Sequence, residues 1–189
     1  MWKKILLGLA VVIIAFVIIV ATRPDDFRFS RATTVAAPPA TVFPFVNDLQ
    51  KWQTWSPWAK LDPNCKYTFE GPVAGSGARL SWSGNDEVGE GSMTITESKP
   101  GELVRYKLVF VKPMAAECDT EFALKPAADG TGVTWTMSGK NNFICKAMGL
   151  FMDCEKMCGE QFEEGFKNLK SVVNEPKTAP APVNSPPST

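Results

Sequence analysis

Six short runs of alternating apolar and polar residues, between residues 67 and 137, constrain the fold more than any other feature of the chain. An apolar residue at every second position places these side chains on one face of a β-strand. The segments between runs contain Gly, Pro, Asn or Asp, which favour turns. The alternating apolar residues are Tyr67, Phe69, Ala78, Leu80, Trp82, Met93, Ile95, Val104, Tyr106, Leu108, Phe110, Phe122, Leu124, Val133, Trp135 and Met137. The pattern predicts an antiparallel meander with one apolar face.

Helical spacing precedes and follows this meander. Residues 39–53 come after a predicted first strand at 27–36, and Pro44 and Asp48 divide them into two short helices. Residues 148–173 contain no proline and predict one helix of about 39 Å at 1.5 Å per residue. A strand, two short helices, six strands and a long helix predict an α+β domain with its sheet curved around the last helix.

The first 22 residues do not belong to this pattern. Ile5 to Ala21 carry no charge and would span about 26 Å as a helix, close to the bilayer hydrocarbon thickness of about 30 Å. Trp2 and the two lysines after it form an aromatic and cationic flank. The run exceeds the apolar region of a signal peptide and lacks a good cleavage site, which favours a single-pass membrane anchor. Positive charges are nearly balanced across it, so orientation stays open, with a slight preference for an extracytoplasmic domain.

These boundaries predict three segments of the chain: a transmembrane anchor at residues 1–22, one folded domain at 23–174, and a tail at 175–189. The tail is rich in Pro, Ala, Ser and Thr, a composition that cannot form a packed core, so we expect it to be disordered. The middle segment has the length of one ordinary domain.

Composition excludes several classes of function. The 20 basic and 20 acidic residues balance without a basic cluster, which argues against a nucleic-acid partner. The chain has no histidine, which excludes Ser-His-Asp and Cys-His nucleophile systems and removes the commonest transition-metal ligand. Its five cysteines lack the paired spacing of a metal site. No dinucleotide-binding glycine pattern is present, so the sequence indicates neither a metal nor an organic cofactor.

Several short motifs follow one another in the order of the predicted elements. They are residues 36–43 (AAPPATVF), Trp55-Ser56-Pro57-Trp58, Asp62-Pro63, Gly71-Pro72, Gly75-Ser76-Gly77, Gly89-Glu90-Gly91 and residues 130–135 (GTGVTW). Over about residues 27–173 the chain resembles the START-like family, also called SRPBCC, polyketide cyclase/dehydrase-like or Bet v 1-like. The resemblance implies a helix-grip fold, with a curved seven-stranded antiparallel sheet around a long C-terminal helix and a hydrophobic cavity between them. It does not imply one function, because members include carriers, cyclases and stress-related proteins.

One acidic residue interrupts the apolar stripe of the predicted last helix. Glu155 falls within about 20° of the centre of that stripe. It is either a polar group inside the cavity, the partner of an inward arginine such as Arg31 or Arg79, or a side chain turned outward by a helix irregularity. The candidate catalytic residues are Glu155 and Tyr106. The candidate cavity residues are Trp82, Tyr106, Phe122, Trp135, Met148, Phe151, Glu155 and Phe162.

Three functions remain open from the sequence. The favoured one is a membrane-tethered domain that binds or carries an apolar small molecule such as a lipid, an isoprenoid or a polyketide-like compound, with residues 5–21 in the bilayer. The second is a cyclase or isomerase-type enzyme that uses Glu155. The third is a ligand-free stress or interaction module with a filled core. The lack of a catalytic constellation argues against an enzyme, while ligand identity and oligomeric state stay open.

Overall fold

The computed structural model describes residues 2–175, which form five α-helices and seven β-strands. The helices are α1 (Trp2–Ala21), α2 (Pro39–Asn47), α3 (Leu49–Trp55), α4 (Phe143–Met148) and α5 (Cys154–Asn174), with a 3₁₀ turn at Pro57–Lys60. The strands are β1 (Asp26–Val35), β2 (Lys66–Glu70), β3 (Arg79–Ser83), β4 (Glu90–Lys99), β5 (Leu103–Lys112), β6 (Ala116–Ala127) and β7 (Gly130–Lys140). All but the first residue of the predicted tail lies outside the described residues.

The strands form one antiparallel sheet in the order β1-β7-β6-β5-β4-β3-β2. Strands β2 to β7 pair with their neighbours in sequence, while β1 pairs with β7 along its whole length, from Asp26 opposite Lys140 to Val35 opposite Thr131. The predicted seven-stranded antiparallel sheet with a long C-terminal helix is confirmed.

The alternation of side chains separates a packed inner face from a hydrated outer face. On β5, Val104 and Tyr106 are buried on the inner face. Between them, Arg105 lies on the outer face, where its guanidinium contacts Glu97 at 2.5 Å and Glu121 at 2.7 Å. One face therefore belongs to the core, and charged pairs across neighbouring strands keep the other in solvent.

Two short helices lead from β1 to β2, as the sequence predicts. Asp48 separates them: its carboxylate accepts hydrogen bonds from the backbone amides of Gln50 (2.9 Å) and Lys51 (3.3 Å), which caps α3. Pro44 lies inside α2 and does not end it.

The prediction of one continuous helix from Met148 is wrong, because two helices occupy this region. Helix α4 ends at Met148, and α5 begins at Cys154 after an irregular connection. Asp153 caps α5 by accepting a hydrogen bond from the backbone amide of Lys156 at 2.9 Å. The apolar spacing continues through the connection although the backbone there is not helical. The predicted apolar stripe therefore corresponds to a helix face only within α5.

Helix α1 is long and apolar enough to cross a membrane, by its length and composition. Apart from Val20, which is fully buried, its residues are exposed in the isolated chain. Its C-terminal end contacts α4.

Candidate ligand-binding site

Helix α5 covers the inner face of the sheet near β1 and β7. Its buried side chains are Phe162, Phe166 and Leu169. Gly165 allows a close approach, because a Cβ atom there would lie 2.8 Å from the ring of Trp135. The helix and the sheet are therefore in direct contact at this point.

Aromatic rings fill the space between α5 and the sheet around Trp135. This ring stacks on Phe162 with centroids 4.1 Å apart and planes 9° from parallel. It also meets Trp52 at 5.4 Å, Trp55 at 5.8 Å and Phe122 at 4.8 Å. Buried ring contacts of this kind add to the stability gained from area burial. Part of the volume where the family resemblance implies a cavity is thus occupied by side chains of the protein itself.

Three buried polar atoms on the inner face have no hydrogen-bond partner among the described residues. They are the hydroxyl of Tyr106, the hydroxyl of Thr120 and the indole nitrogen of Trp135. Tyr106 and Thr120 lie opposite each other on β5 and β6. An unpaired buried polar group costs about 1–3 kcal/mol, so each atom is a potential contact for water or for a bound molecule.

Burial also decides what the Tyr106 hydroxyl can do. Desolvation raises the pKa of its phenol well above the usual value. The group is therefore neutral at physiological pH, where it can donate a hydrogen bond but cannot serve as a base.

The structure brings together four of the eight candidate cavity residues. Tyr106, Phe122, Trp135 and Phe162 share the aromatic cluster. Trp82 is half-buried at another part of the sheet, 5.8 Å from Phe110, and its indole nitrogen donates to the carbonyl oxygen of Val88 at 3.3 Å.

Met148, Phe151 and Glu155 lie at the surface, away from the cluster. Met148 ends α4, and the side chain of Phe151, in the connection after it, is 79% exposed. The sequence pattern placed these residues under the last helix because it started that helix at Met148, whereas α5 begins at Cys154.

Glu155 occupies the first turn of α5, with its side chain 63% exposed. Its carboxylate lies 3.7 Å from the guanidinium of Arg31, which also contacts Glu163 at 3.6 Å. Arg31 points inward from β1 and passes beneath Gly159, where a Cβ atom would overlap the guanidinium. Two of the sequence alternatives hold together, because the helix irregularity before α5 turns Glu155 outward and Arg31 is its partner. Arg79 instead faces Glu70 at 3.5 Å.

Replacement of Glu155 by Gln is expected to change the free energy of unfolding by less than about 0.5 kcal/mol. The Glu155 side chain is solvent-exposed, and Glu163 remains beside Arg31 in the variant. Urea unfolding of both proteins at pH 5 and pH 7 measures the difference, with Glu163→Gln as the matched control. A loss of several kcal/mol would instead indicate that the carboxylate is buried in solution.

Two residues outside the predicted list of cavity residues contribute to this region. Thr120 is the hydroxyl residue between the inward-facing Cys118 and Phe122 on β6, and its position in the alternation was the available signal. Trp52 lies at the centre of the ring cluster, 6.1 Å from Tyr106. The clustering of Trp52, Trp55 and Trp58 within seven residues was the available signal, and it did not identify these contacts.

Two of the five cysteines are buried deeply enough for their protonation state to be clear. All five are free thiols, and no three Cys, Asp or Glu side chains within residues 2–175 lie close enough to hold a metal ion. Burial raises the pKa of Cys118 to about 12 and raises that of Cys158. Both thiols are therefore protonated at neutral pH and unreactive.

Open depressions occur on the side of the sheet opposite α5. One of about 560 Å³ lies near the start of β6 and the end of β7, and another of about 510 Å³ lies across β1, β7 and β6. Charged side chains contribute to both, including Lys107 and Asp119 in the first and Arg28 and Glu121 in the second. Both depressions are open to solvent and would leave a bound apolar ligand largely uncovered, so the inner face remains the candidate site.

Residues 26–174 match the model of the family described as polyketide cyclase / dehydrase and lipid transport. The chain belongs to this family. The family description supports hydrophobic ligand binding as the general property of the domain. No curated protein matches the chain significantly.

Solved structures share the fold of this polyketide cyclase / dehydrase and lipid transport domain. CV1439 from Chromobacterium violaceum is 18% identical, with a TM-score of 0.56 over 80% of this chain and 98% of that chain. Ara h 8.0201 is 13% identical, with a TM-score of 0.55 over 78% and 97%. StfQ, a di-domain ARO/CYC from the steffimycin biosynthetic pathway, is 10% identical, with a TM-score of 0.57 over 80% and 51%. Identities this low establish a common fold, not a common ligand.

Proposed function

We propose that this protein is a membrane-tethered domain that binds one apolar small molecule with a polar end, on the inner face of the sheet under α5. The observation that carries the proposal is the set of unpartnered polar atoms of Tyr106, Thr120 and Trp135 within an otherwise apolar core. A ligand whose polar group pairs with these atoms removes their desolvation cost, while its apolar part contacts the surrounding side chains. Lipids, isoprenoids and polyketide-like compounds have this chemistry.

Tethering to a membrane is the second part of the proposal. Helix α1 has the length and composition of a bilayer span, and the folded domain begins within a few residues of its end. An anchored carrier stays close to the phase in which apolar ligands dissolve, so binding and release take place at the membrane surface.

A ligand-free interaction module is the alternative that a specific observation favours. The rings of Trp135, Phe162 and Trp52 already pack against one another. Binding under α5 therefore requires side chains to move, whereas a filled core needs no ligand. The enzyme alternative has less support, because Tyr106 is buried and neutral while Glu155 is exposed and paired with Arg31.

Native mass spectrometry of the full chain, extracted from its host membranes in mild detergent, distinguishes binding from a filled core. Ligand binding predicts an additional mass at a fixed stoichiometry that organic extraction removes and identifies. Protein that carries no additional mass under any mild extraction would favour the interaction module.

Replacement of Tyr106 by Phe is expected to have opposite effects on stability and on binding. Without ligand, loss of an unpartnered buried hydroxyl should leave the free energy of unfolding unchanged or raise it by about 1–3 kcal/mol. With ligand, loss of a hydrogen bond should weaken affinity about 2- to 10-fold. Tyr67→Phe is the matched control, since Tyr67 is half-buried on edge strand β2. Equal effects of the two changes on ligand occupancy would contradict a polar contact at Tyr106.

A further inference from the structure

Exposed apolar side chains concentrate in α4, the connection after it and the first turn of α5. Outside α1, six of the ten exposed large apolar residues of the described chain lie there, with exposures from 40% to 79%. These six, called the α4 patch below, are Phe143, Ile144, Met148, Phe151, Met152 and Met157. Scattered exposed apolar residues are ordinary, but a continuous group of them indicates a binding surface.

The α4 patch is attached directly to the end of α1. The backbone amide of Asn141 donates to the carbonyl oxygen of Asp25 at 2.7 Å, and its side-chain amide donates to that of Pro24 at 3.3 Å. Lys146 on α4 forms an ion pair with the carboxylate of Asp25 and is itself largely covered. Since Val20 is also fully buried, these contacts fix α4 beside the last turn of α1.

This attachment sets the depth of the patch in a membrane. If α1 spans the bilayer, its last turn reaches the headgroup region, and α4 must lie at the same level. Opposite charges there are paired, Lys146 with Asp25 and Lys140 with Asp26 at 3.1 Å, which reduces the cost of bringing them to the interface. The α4 patch therefore adjoins the end of the anchor, whose side chains would face lipid.

We propose that the α4 patch inserts into the headgroup region of the same bilayer that holds α1, so that the domain lies on the membrane in a fixed orientation. This inference rests on the proposed tether. Apolar area placed at the acyl boundary contributes binding energy in the manner of an interfacial amphipathic helix. The occupant of the patch is thus lipid, not a second protein chain.

The orientation also places one end of the sheet at the membrane. Strand pairing puts Asp26 opposite Lys140, Cys118 opposite Gly139 and Phe110 opposite Ala116, all at the end of the sheet where β1 begins. Helix α4 follows directly after β7 at this end. An apolar ligand would therefore pass between the inner face and the bilayer beside the α4 patch without crossing water.

Photocrosslinking of the full chain in vesicles of phosphatidylcholine and phosphatidylglycerol tests the proposal. A benzophenone amino acid replaces Phe151 in one sample and Phe69 in the other, and intact mass identifies each adduct. Phe69 is the matched control, because it is an exposed phenylalanine on β2, the edge strand farthest from β1 in the sheet. The expected result is a phospholipid adduct at position 151 as the main product and none at position 69.

Each other result overturns the inference. A protein–protein adduct at position 151 would identify a second copy as the occupant, and equal lipid adducts at both positions would show unspecific labelling. Vesicle-bound protein without any adduct at position 151 would leave the tether intact but remove the patch from the bilayer. Protein that floats free of the vesicles would refute the tether itself, and the docking with it.

Discussion

Replacement of Trp135 by Ala is expected to lower the free energy of unfolding by about 3–5 kcal/mol, the range for removing a large buried aromatic side chain. Trp135 is 1% exposed and contacts rings from α3, β6 and α5. Its removal leaves a cavity at the point where all these elements meet. The ring of Phe162 loses its stacking partner, and α5 cannot move inward freely because the guanidinium of Arg31 already lies against its backbone at Gly159.

Urea unfolding of the full chain in mild detergent, followed by far-UV circular dichroism, measures this loss. Phe151→Ala is the matched control, since Phe151 is 79% exposed and its removal should change the free energy of unfolding by less than about 0.5 kcal/mol. Similar midpoints for both variants would contradict the placement of Trp135 at the centre of the core.

Introduction of two arginines into α1, by Ile13→Arg together with Ile14→Arg, is expected to release the protein from the membrane fraction. Each arginine at the centre of a bilayer span costs about 2.5–3.5 kcal/mol, so the pair removes about 5–7 kcal/mol of insertion free energy. Apolar residues contribute only about 0.3–0.6 kcal/mol each, and the pair therefore cancels most of what the remaining helix provides.

Alkaline extraction of membranes followed by immunoblotting measures the release, and intact mass shows whether residues 1–22 are retained. Ile13→Ala with Ile14→Ala is the matched control and should stay in the membrane. Wild-type protein that lacks its first two dozen or so residues would identify α1 as a cleaved signal sequence instead.

The sheet was largely predictable because its information is local. Alternation places Tyr106 on the inner face and Arg105 on the outer face of the sheet whatever the partner strands are. The turn residues between the runs set the lengths of the strands. The order of elements together with the short motifs then predicted the α+β helix-grip fold with seven antiparallel strands, while the pairing of β1 with β7 is seen only in the structure.

The site was less predictable because it depends on which residues of the last helix face the sheet. A short irregular segment before Cys154 resets the rotation of α5, and the apolar residues on both sides conceal the break. Phe151 and Glu155 consequently lie at the surface. The inward arginine that could pair with Glu155 was nevertheless among the alternatives, since Arg31 occupies an inner-face position of β1.

Contacts between distant residues could not be read from any pattern. Trp52, Trp135 and Phe162 come from three separate elements, and only the folded chain shows that their rings fill the space under α5. Gly165 has a low helix propensity, yet its lack of a side chain lets the ring of Trp135 contact the backbone of α5. The lack of a partner for the Trp135 indole nitrogen is likewise a property of the packed core.

Ligand binding at this position is tested most directly by the indole N–H resonance of Trp135. Spectra of ¹⁵N-labelled full chain in lipid nanodiscs are compared as purified and after apolar ligands are stripped on a hydrophobic resin. Trp55 and Trp82 are internal references, because their indole nitrogens donate to the carbonyl oxygens of Phe45 at 2.9 Å and Val88 at 3.3 Å. A bound ligand predicts that stripping shifts the Trp135 resonance upfield, as its hydrogen bond is lost, while the two references stay in place. A Trp135 resonance unchanged by stripping would contradict ligand binding under α5.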